Sequence, residues 1–231
     1  MGNSNPGDPT NAMVENYVEM PDTINEEIAE LIGAHIGDGN SHVRKSDYRL
    51  SIAGNAAKDQ EYMSFLANLF YKNFKIIPKI YVRKNNSIYL IVRSKKLHKF
   101  YIAQLKLPIG PKANITIPKF IVSKKNFLVA CIRGIFDTDG SVVIQKFGKY
   151  QYTSISISTT SKRLAKGLAA NLKQLGFKPY ICKRKPTLRS PLEEYSVRVK
   201  GWEQVRKWKE LIGSHNPRNS IKLNQIAHGQ S

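Results

Sequence analysis

The chain has 231 residues, 37 of them Lys or Arg against 17 Asp or Glu, for a formal charge of +20. A surplus of that size points to a polyanionic partner, most simply nucleic acid, and the length allows one or two domains with a sizeable core. Two cysteines, Cys131 and Cys182, offer neither a disulfide framework nor a zinc or haem spacing, and no apolar run reaches the length of a membrane span. These features argue against a secreted disulfide scaffold and an integral membrane protein, and a reducing, intracellular location is expected.

Residues 1–22 are polar at the start and rich in Gly, Pro and Asn. They read as a flexible N-terminal arm with no secretory signal. Thr23-Ile-Asn-Glu26 fits a capping box and predicts the start of a helix. Ile28, Leu31, Ile32 and Ile36 follow at helical spacing, and the pattern ends at Asp38-Gly39. Ser41 to Arg49 is a basic, polar stretch. A short strand then sets Arg49 and Ser51 on one face and Leu50 and Ile52 on the other. Gln60–Tyr71 predicts an amphipathic helix. Two strands follow around Lys79–Arg83 and Tyr89–Arg93, joined at Asn85-Asn86-Ser87, and a short helix over 95–104 closes a first unit spanning 23–107.

The Pro- and Gly-bearing stretch within residues 108–122 predicts a linker. The second unit, 123–231, opens with a helix from Ser123–Asn126 that runs to Asp139-Gly140 through Leu128, Ile132, Ile135 and Phe136. Gln151–Thr160 is a clear strand, with Tyr152, Ser154, Ser156 and Ser158 opposite Ile155 and Ile157. A helix over 161–175, strands at 180–184 and 195–200, and a helix over 202–212 complete the unit.

The two helix ends repeat. Gly33 pairs with Gly134, Asp38 with Asp139 and Gly39 with Gly140, and 134 − 33 and 139 − 38 are both 101. A constant offset of that size implies two copies of one unit. Gly33 and Gly37 share a helix face, as do Gly134 and Thr138. Small residues at that spacing let two helices approach closely, which would bring Asp38 and Asp139 together at two helix C-termini. A carboxylate there opposes the helix dipole at a cost of about 0.3–1 kcal/mol, and a second carboxylate adds repulsion. A divalent cation relieves both.

Leu31-Ile-Gly-Ala-His-Ile-Gly-Asp-Gly39 and Ile132-Arg-Gly-Ile-Phe-Asp-Thr-Asp-Gly140 resemble the two motifs of a single-chain LAGLIDADG homing endonuclease. The second copy keeps both motif aspartates, Asp137 and Asp139. The first has Ala34 and His35 where two large apolar residues are usual, and Ile36 in place of the first aspartate. The resemblance covers about residues 24–225. It implies an α+β fold of two pseudo-symmetric αββαββα units whose sheets form a DNA-binding saddle, with the motif helices packed at the centre. It implies a monomer that hydrolyses both strands of a long, asymmetric DNA target and leaves short 3′ overhangs. The metal ligands would be Asp38 and Asp139 with the carbonyls of Gly37 and Thr138, and Mg²⁺ the cofactor, with Mn²⁺ or Ca²⁺ able to occupy the same sites. Lys112 and Arg218, in similar Pro-basic segments after each unit, would assist catalysis. No splicing sequence flanks the motifs, so an intron origin is expected.

DNA contacts are expected from Arg44, Arg49, Ser51, Lys79, Tyr81, Arg83 and Arg93 in the first unit. In the second they are expected from Tyr152, Ser154, Ser156, Arg184, Arg198 and Lys200. These polar faces suit the major groove and the phosphates. His35 reads as a packed residue, and His42, His98, His215 and His228 show no metal-ligand spacing. The rival readings are an RNA maturase with intron RNA as partner, or a non-cutting DNA-binding protein on the same scaffold.

Overall fold

The computed structural model describes residues 18–110, 112–147, 150–186 and 191–227. Most of the expected N-terminal arm lies outside the described residues.

The first unit runs α1 (Glu26–Asp38), β1 (Gly39–Arg44), β2 (Asp47–Asn55), α2 (Ala56–Phe74), β3 (Lys79–Val82), β4 (Ser87–Arg93) and α3 (Lys95–Lys99). α3 continues as a π-helical turn over Phe100–Gln104. After α4 (Lys119–Val122) the second unit repeats the order: α5 (Lys125–Asp139), β5 (Gly140–Phe147), β6 (Tyr150–Thr159), α6 (Lys162–Gln174), β7 (Pro179–Arg184), β8 (Glu194–Lys200) and α7 (Trp202–Leu211). α8 (Pro217–Ala227) is added at the end. Each unit has one antiparallel four-stranded sheet, ordered β1-β2-β4-β3 and β5-β6-β8-β7. The fold is α+β with a twice-used αββαββα order.

Strand alternation decides what each sheet buries. Leu50 and Ile52 of β2 join Ile88, Leu90 and Val92 of β4 under Tyr62, Leu66 and Phe70 of α2. In the second unit Ile155, Ile157, Val197 and Val199 lie beneath Leu164, Leu168 and Leu172 of α6. Trp208 of α7 is fully buried, with its ring 5.0 Å from Phe136 and 5.5 Å from Phe177. Since Phe136 belongs to α5, this contact ties the outer helix to the central one. Trp208→Ala should therefore cost about 3–5 kcal/mol, read as a lowered midpoint in denaturant unfolding.

Several boundaries differ from the sequence reading. Asn25, not Thr23, caps α1: its side chain accepts from the Ile28 amide at 2.8 Å. Asn is as good a cap as Thr, and it stands two places closer to the first helical residue, directly before it. The stretch after Gly39 is strand β1, paired with β2 from Gly39↔Ile52 to Arg44↔Asp47. Its inward residues include the small Gly39 and Ser41, so it lacks the apolar alternation that marks a strand. β5 is likewise a strand the spacing did not reveal. The segment before α5 is more than a tether, because Ile115, Ile117 and Ile121 are buried and residues 119–122 are helical. Pro217 does not mark a loop. It occupies the first turn of α8, where its missing N–H is no loss. Asn216 precedes it and its side chain accepts from the Arg218 amide at 3.1 Å.

Candidate active site and nucleic-acid face

The centre of the molecule is α1 packed along α5. A Cβ added to Gly33 would stand 2.9 Å from the carbonyl carbon of Cys131, and one on Gly134 would stand 2.7 Å from the Ala34 nitrogen. Both obstacles are backbone. Gly37 meets the Thr138 side chain, and an added Cβ would lie 3.3 Å from Asp139 Oδ2. The four small residues therefore form the contact itself, and they carry Asp38 and Asp139 to the same end of the pair.

Both carboxylates are electrically strained. Burial pushes the Asp139 carboxyl up to about 7, and the charge of Asp38 pushes the same way, against the pull of Lys112 and Arg218. Burial also raises Asp38; Lys112 and Arg218 pull it down and Asp59 pushes it up. Lys112 is lowered by burial, while Asp139 and Asp38 hold its charge in place.

The two cations reach equivalent positions. The Lys112 ammonium donates to the carbonyls of Ile36, at 3.1 Å, and Gly37. The Arg218 guanidinium donates to the carbonyls of Asp137, at 3.1 Å, and Thr138, at 2.7 Å. Ile36 and Asp137 are related by the repeat, as are Gly37 and Thr138. Each basic side chain thus closes the last turn of one motif helix, where unpaired carbonyls accumulate negative charge. A cavity of about 240 Å³ opens beside Lys112 and Asp139.

The donors fit a hard divalent cation. Two carboxylates and two helix-end carbonyls offer only oxygen, and their collective field already draws two cationic side chains. The carbonyls of Gly37 and Thr138 are engaged by Lys112 and Arg218 in this arrangement, so a cation would share or displace those hydrogen bonds.

Beside this centre lies a polar network that spacing along the chain could not reveal. Glu30, Asp137 and His215 have ligand-type atoms within 4.8 Å of one another. His215 Nδ1 lies 2.6 Å from Glu30, and Arg133 donates to the other Glu30 oxygen at 3.0 Å. Asp137 accepts from the Ser214 hydroxyl and, at 2.8 Å, from the His215 amide. Asp137, the motif aspartate that has no counterpart in the first copy, therefore anchors the chain that leads into α8. Burial raises it to about 7, against the hydrogen bonds from Ser214 and His215. His35 packs against Tyr101 and pairs with Ser41 at 3.0 Å; burial lowers it to about 3, so it stays neutral.

These raised carboxyls fix the sign of a pH effect. Asp137 and Asp139 bind protons more tightly in the folded chain than at the ordinary value of 3.8. Their favourable contribution is complete below about 4 and is lost as pH rises through about 7. Each tenfold difference in proton affinity corresponds to about 1.4 kcal/mol. Denaturant unfolding in chelator should show stability falling from pH 4 to pH 7, and Asp139→Asn should flatten that fall.

Strand pairing settles which side chains share a sheet face. Asp47↔Arg44, Arg49↔Arg93, Ser51↔Ile91, Lys79↔Ile91 and Tyr81↔Tyr89 are opposed pairs, so Arg44, Arg49, Ser51, Lys79, Tyr81 and Arg93 lie on one face. Arg83 follows β3, with its guanidinium 4.5 Å over the Tyr89 ring. In the second sheet Ser154↔Lys200, Ser156↔Arg198, Tyr180↔Arg198 and Arg184↔Glu194 are opposed, so Tyr152, Ser154, Ser156, Arg184, Arg198 and Lys200 also share a face. Three residues of these faces escaped the sequence reading: His42, opposite Arg49; Tyr89; and Tyr180, whose ring lies 5.0 Å from the Lys200 ammonium. Acidic groups temper both faces, since Asp47 pairs with Arg93 at 3.3 Å and Glu194 with Arg184 at 3.1 Å. Cys131 and Cys182 are both free. Among the described residues no helix is long and apolar enough to cross a membrane.

Residues 126–213 match the domain family described as LAGLIDADG-like. The chain is 30% identical over 203 residues to the replication factor C small subunit of Methanocaldococcus jannaschii, covering 87% of this chain and 10% of that protein. It is 28% identical over 153 residues to an uncharacterized protein of the same organism, covering 65% and 55%. The chain thus spans about half, or far less, of the curated relatives it matches. Among solved structures it resembles the homing endonuclease I-WcaI bound to its DNA recognition sequence (TM-score 0.57, 16% identity, 97% of this chain and 96% of that one). It also resembles the N-terminal LAGLIDADG domain of DUF199/WhiA (TM-score 0.55, 17% identity, 87% and 86%). A third likeness is to the LAGLIDADG meganuclease I-AabMI bound to uncleaved DNA (TM-score 0.54, 14% identity, 88% and 89%). The second unit thus carries a LAGLIDADG-like domain, the first repeats its motif in register, and the chain shares the two-unit fold of these structures within one polypeptide.

Proposed function

We propose that this chain is a site-specific DNA endonuclease that binds duplex DNA as a monomer and hydrolyses both strands with the help of a divalent metal. The observation that carries the reading is the pair of half-buried, mutually repelling carboxylates, Asp38 and Asp139, flanked by Lys112 and Arg218 in repeat-related positions. Asp38 and Asp139 would hold the metal, with the carbonyls of Gly37 and Thr138 as further oxygen donors, and Mg²⁺ is the cation proposed. When bound, the metal supplies an activated water and Lewis-acid stabilisation of the leaving 3′ oxygen.

The remaining roles belong to the chain. Lys112 and Arg218 place positive charge where a phosphate gains negative charge. The faces holding Arg49, Arg93, Arg198 and Lys200 grip phosphates and base edges along two sheets. The units differ in sequence at most of these positions, which favours a long asymmetric target; short 3′ overhangs and an intron origin belong to the same reading. The direct test is to add Mg²⁺ to protein bound to duplex DNA. Cuts that stop on chelation support the proposal. Tight, salt-sensitive binding without cuts would favour a non-cutting DNA-binding role. A preference for intron RNA would favour a maturase.

A further inference from the structure

The repeat sets Lys112 and Arg218 in matching places, yet the structure holds them differently. Asp59, in the first turn of α2, is buried and belongs to the first unit. Its Oδ1 lies 3.5 Å from Arg218 Nη1, in the second unit. The same oxygen accepts from Asn216 Nδ2 at 2.8 Å, and Asn216 is the fully buried cap of the helix that carries Arg218. The other oxygen accepts from the Asn55 amide at 2.8 Å, which fixes the carboxylate to the end of β2. One side chain therefore clamps both the guanidinium and the helix that bears it.

Among the described residues nothing equivalent serves Lys112. With Asn55 and Ser161 as the matching caps of α2 and α6, the counterpart of Asp59 is Ala165, which is buried and carries no charge. Glu194 lines the cavity beside Lys112 but is paired with Arg184. Among the described residues no carboxylate forms an ion pair with Lys112, whose hydrogen bonds go to the Ile36 and Gly37 carbonyls.

We propose that Asp59 is a positioning residue that fixes Arg218 at the end of α5 from across the unit boundary, and that it makes the two halves of the site act unequally on the two DNA strands. The inequality rests on the endonuclease reading; the clamp itself does not. A guanidinium held on three sides by Asp59, Asp137 and Thr138 is preorganised, whereas an ammonium on two carbonyls is held less firmly.

The test uses the full chain and a duplex selected from a randomised library, with the two strands labelled separately. Asp59→Asn keeps the side-chain shape and an acceptor for the Asn55 amide while removing the charge. It should slow cutting of one strand about 10- to 100-fold, as misplacement of a charged group does, and leave the other within about twofold, so that a nicked product accumulates. Arg218→Met should slow the same strand, and Lys112→Met the other. Equal slowing of both strands, or none, would overturn the proposed inequality. A double-mutant cycle of Asp59→Asn and Arg218→Met on the unfolding midpoint reads the clamp without any cleavage. Non-additive shifts support it and additive shifts overturn it. Should the wild-type chain fail to cut, the endonuclease reading and the strand inequality fall together, while the cycle still decides whether Asp59 holds Arg218.

Discussion

Asp38→Asn and Asp139→Asn should each abolish double-strand cleavage, slowing the reaction by about 10²–10³-fold or more, while DNA binding stays close to that of the wild type. The proposed binding faces are carried by the two sheets, whereas the aspartates end the two motif helices. Asn also preserves the shape of the half-buried side chain and cancels a charge that the fold tolerates poorly, as the upward displacement of Asp139 to about 7 records. Stability in chelator near pH 8 should therefore rise in Asp139→Asn while activity falls. Opposite signs separate a lost catalytic group from a damaged fold. Strand-resolved cleavage, filter binding and denaturant unfolding on the same preparation check all three. Undiminished cutting in either variant would remove the aspartates from the mechanism.

Gly134→Val should be strongly destabilising at the helix pair. A Cβ there would sit 2.7 Å from the Ala34 nitrogen and closer still to the Glu30 carbonyl. Backbone atoms cannot rotate away as a side-chain tip can, so α1 and α5 must separate. Overpacking of ordinary cores costs about 1–3 kcal/mol. Here the cost should reach at least the top of that range, a large fraction of the roughly 5–15 kcal/mol that holds a typical domain together. Separation would also part Asp38 from Asp139, so residual folded protein should not cut. Gly167 provides the control. It lies inside α6 with nothing within 4 Å of an added Cβ, and Gly167→Ala should stabilise by about 0.5–1 kcal/mol. Parallel urea titrations would display the contrast.

Much of this architecture was legible in the chain because it is written twice. One offset of 101 positions pairs the glycines, the aspartates and the helix ends, and helix geometry then places those residues together. The polar strand faces were legible by alternation. What escaped was built from residues that carry no periodic signal. β1 turns Gly39 and Ser41 inward instead of apolar side chains. α8 begins with an Asn-Pro pair that resembles a turn until Asn216 is seen capping the helix. The Glu30–Asp137–His215 network and the Asp59–Arg218 pair join residues from opposite ends of the chain, and only the packing of two units brings them together. Along the chain Lys112 and Arg218 are only basic residues near prolines; that both close the last turn of a motif helix is a fact of the tertiary structure.

The most direct measurement is Mg²⁺-dependent cleavage of a randomised double-stranded DNA library with the product ends sequenced. The arrangement of Asp38 and Asp139 between two dissimilar basic faces predicts recovery of one long, asymmetric motif, cut on both strands with short 3′ overhangs, and no cuts in chelator. Tight, salt-sensitive binding to duplex DNA with every end intact in Mg²⁺ or Mn²⁺ would contradict it.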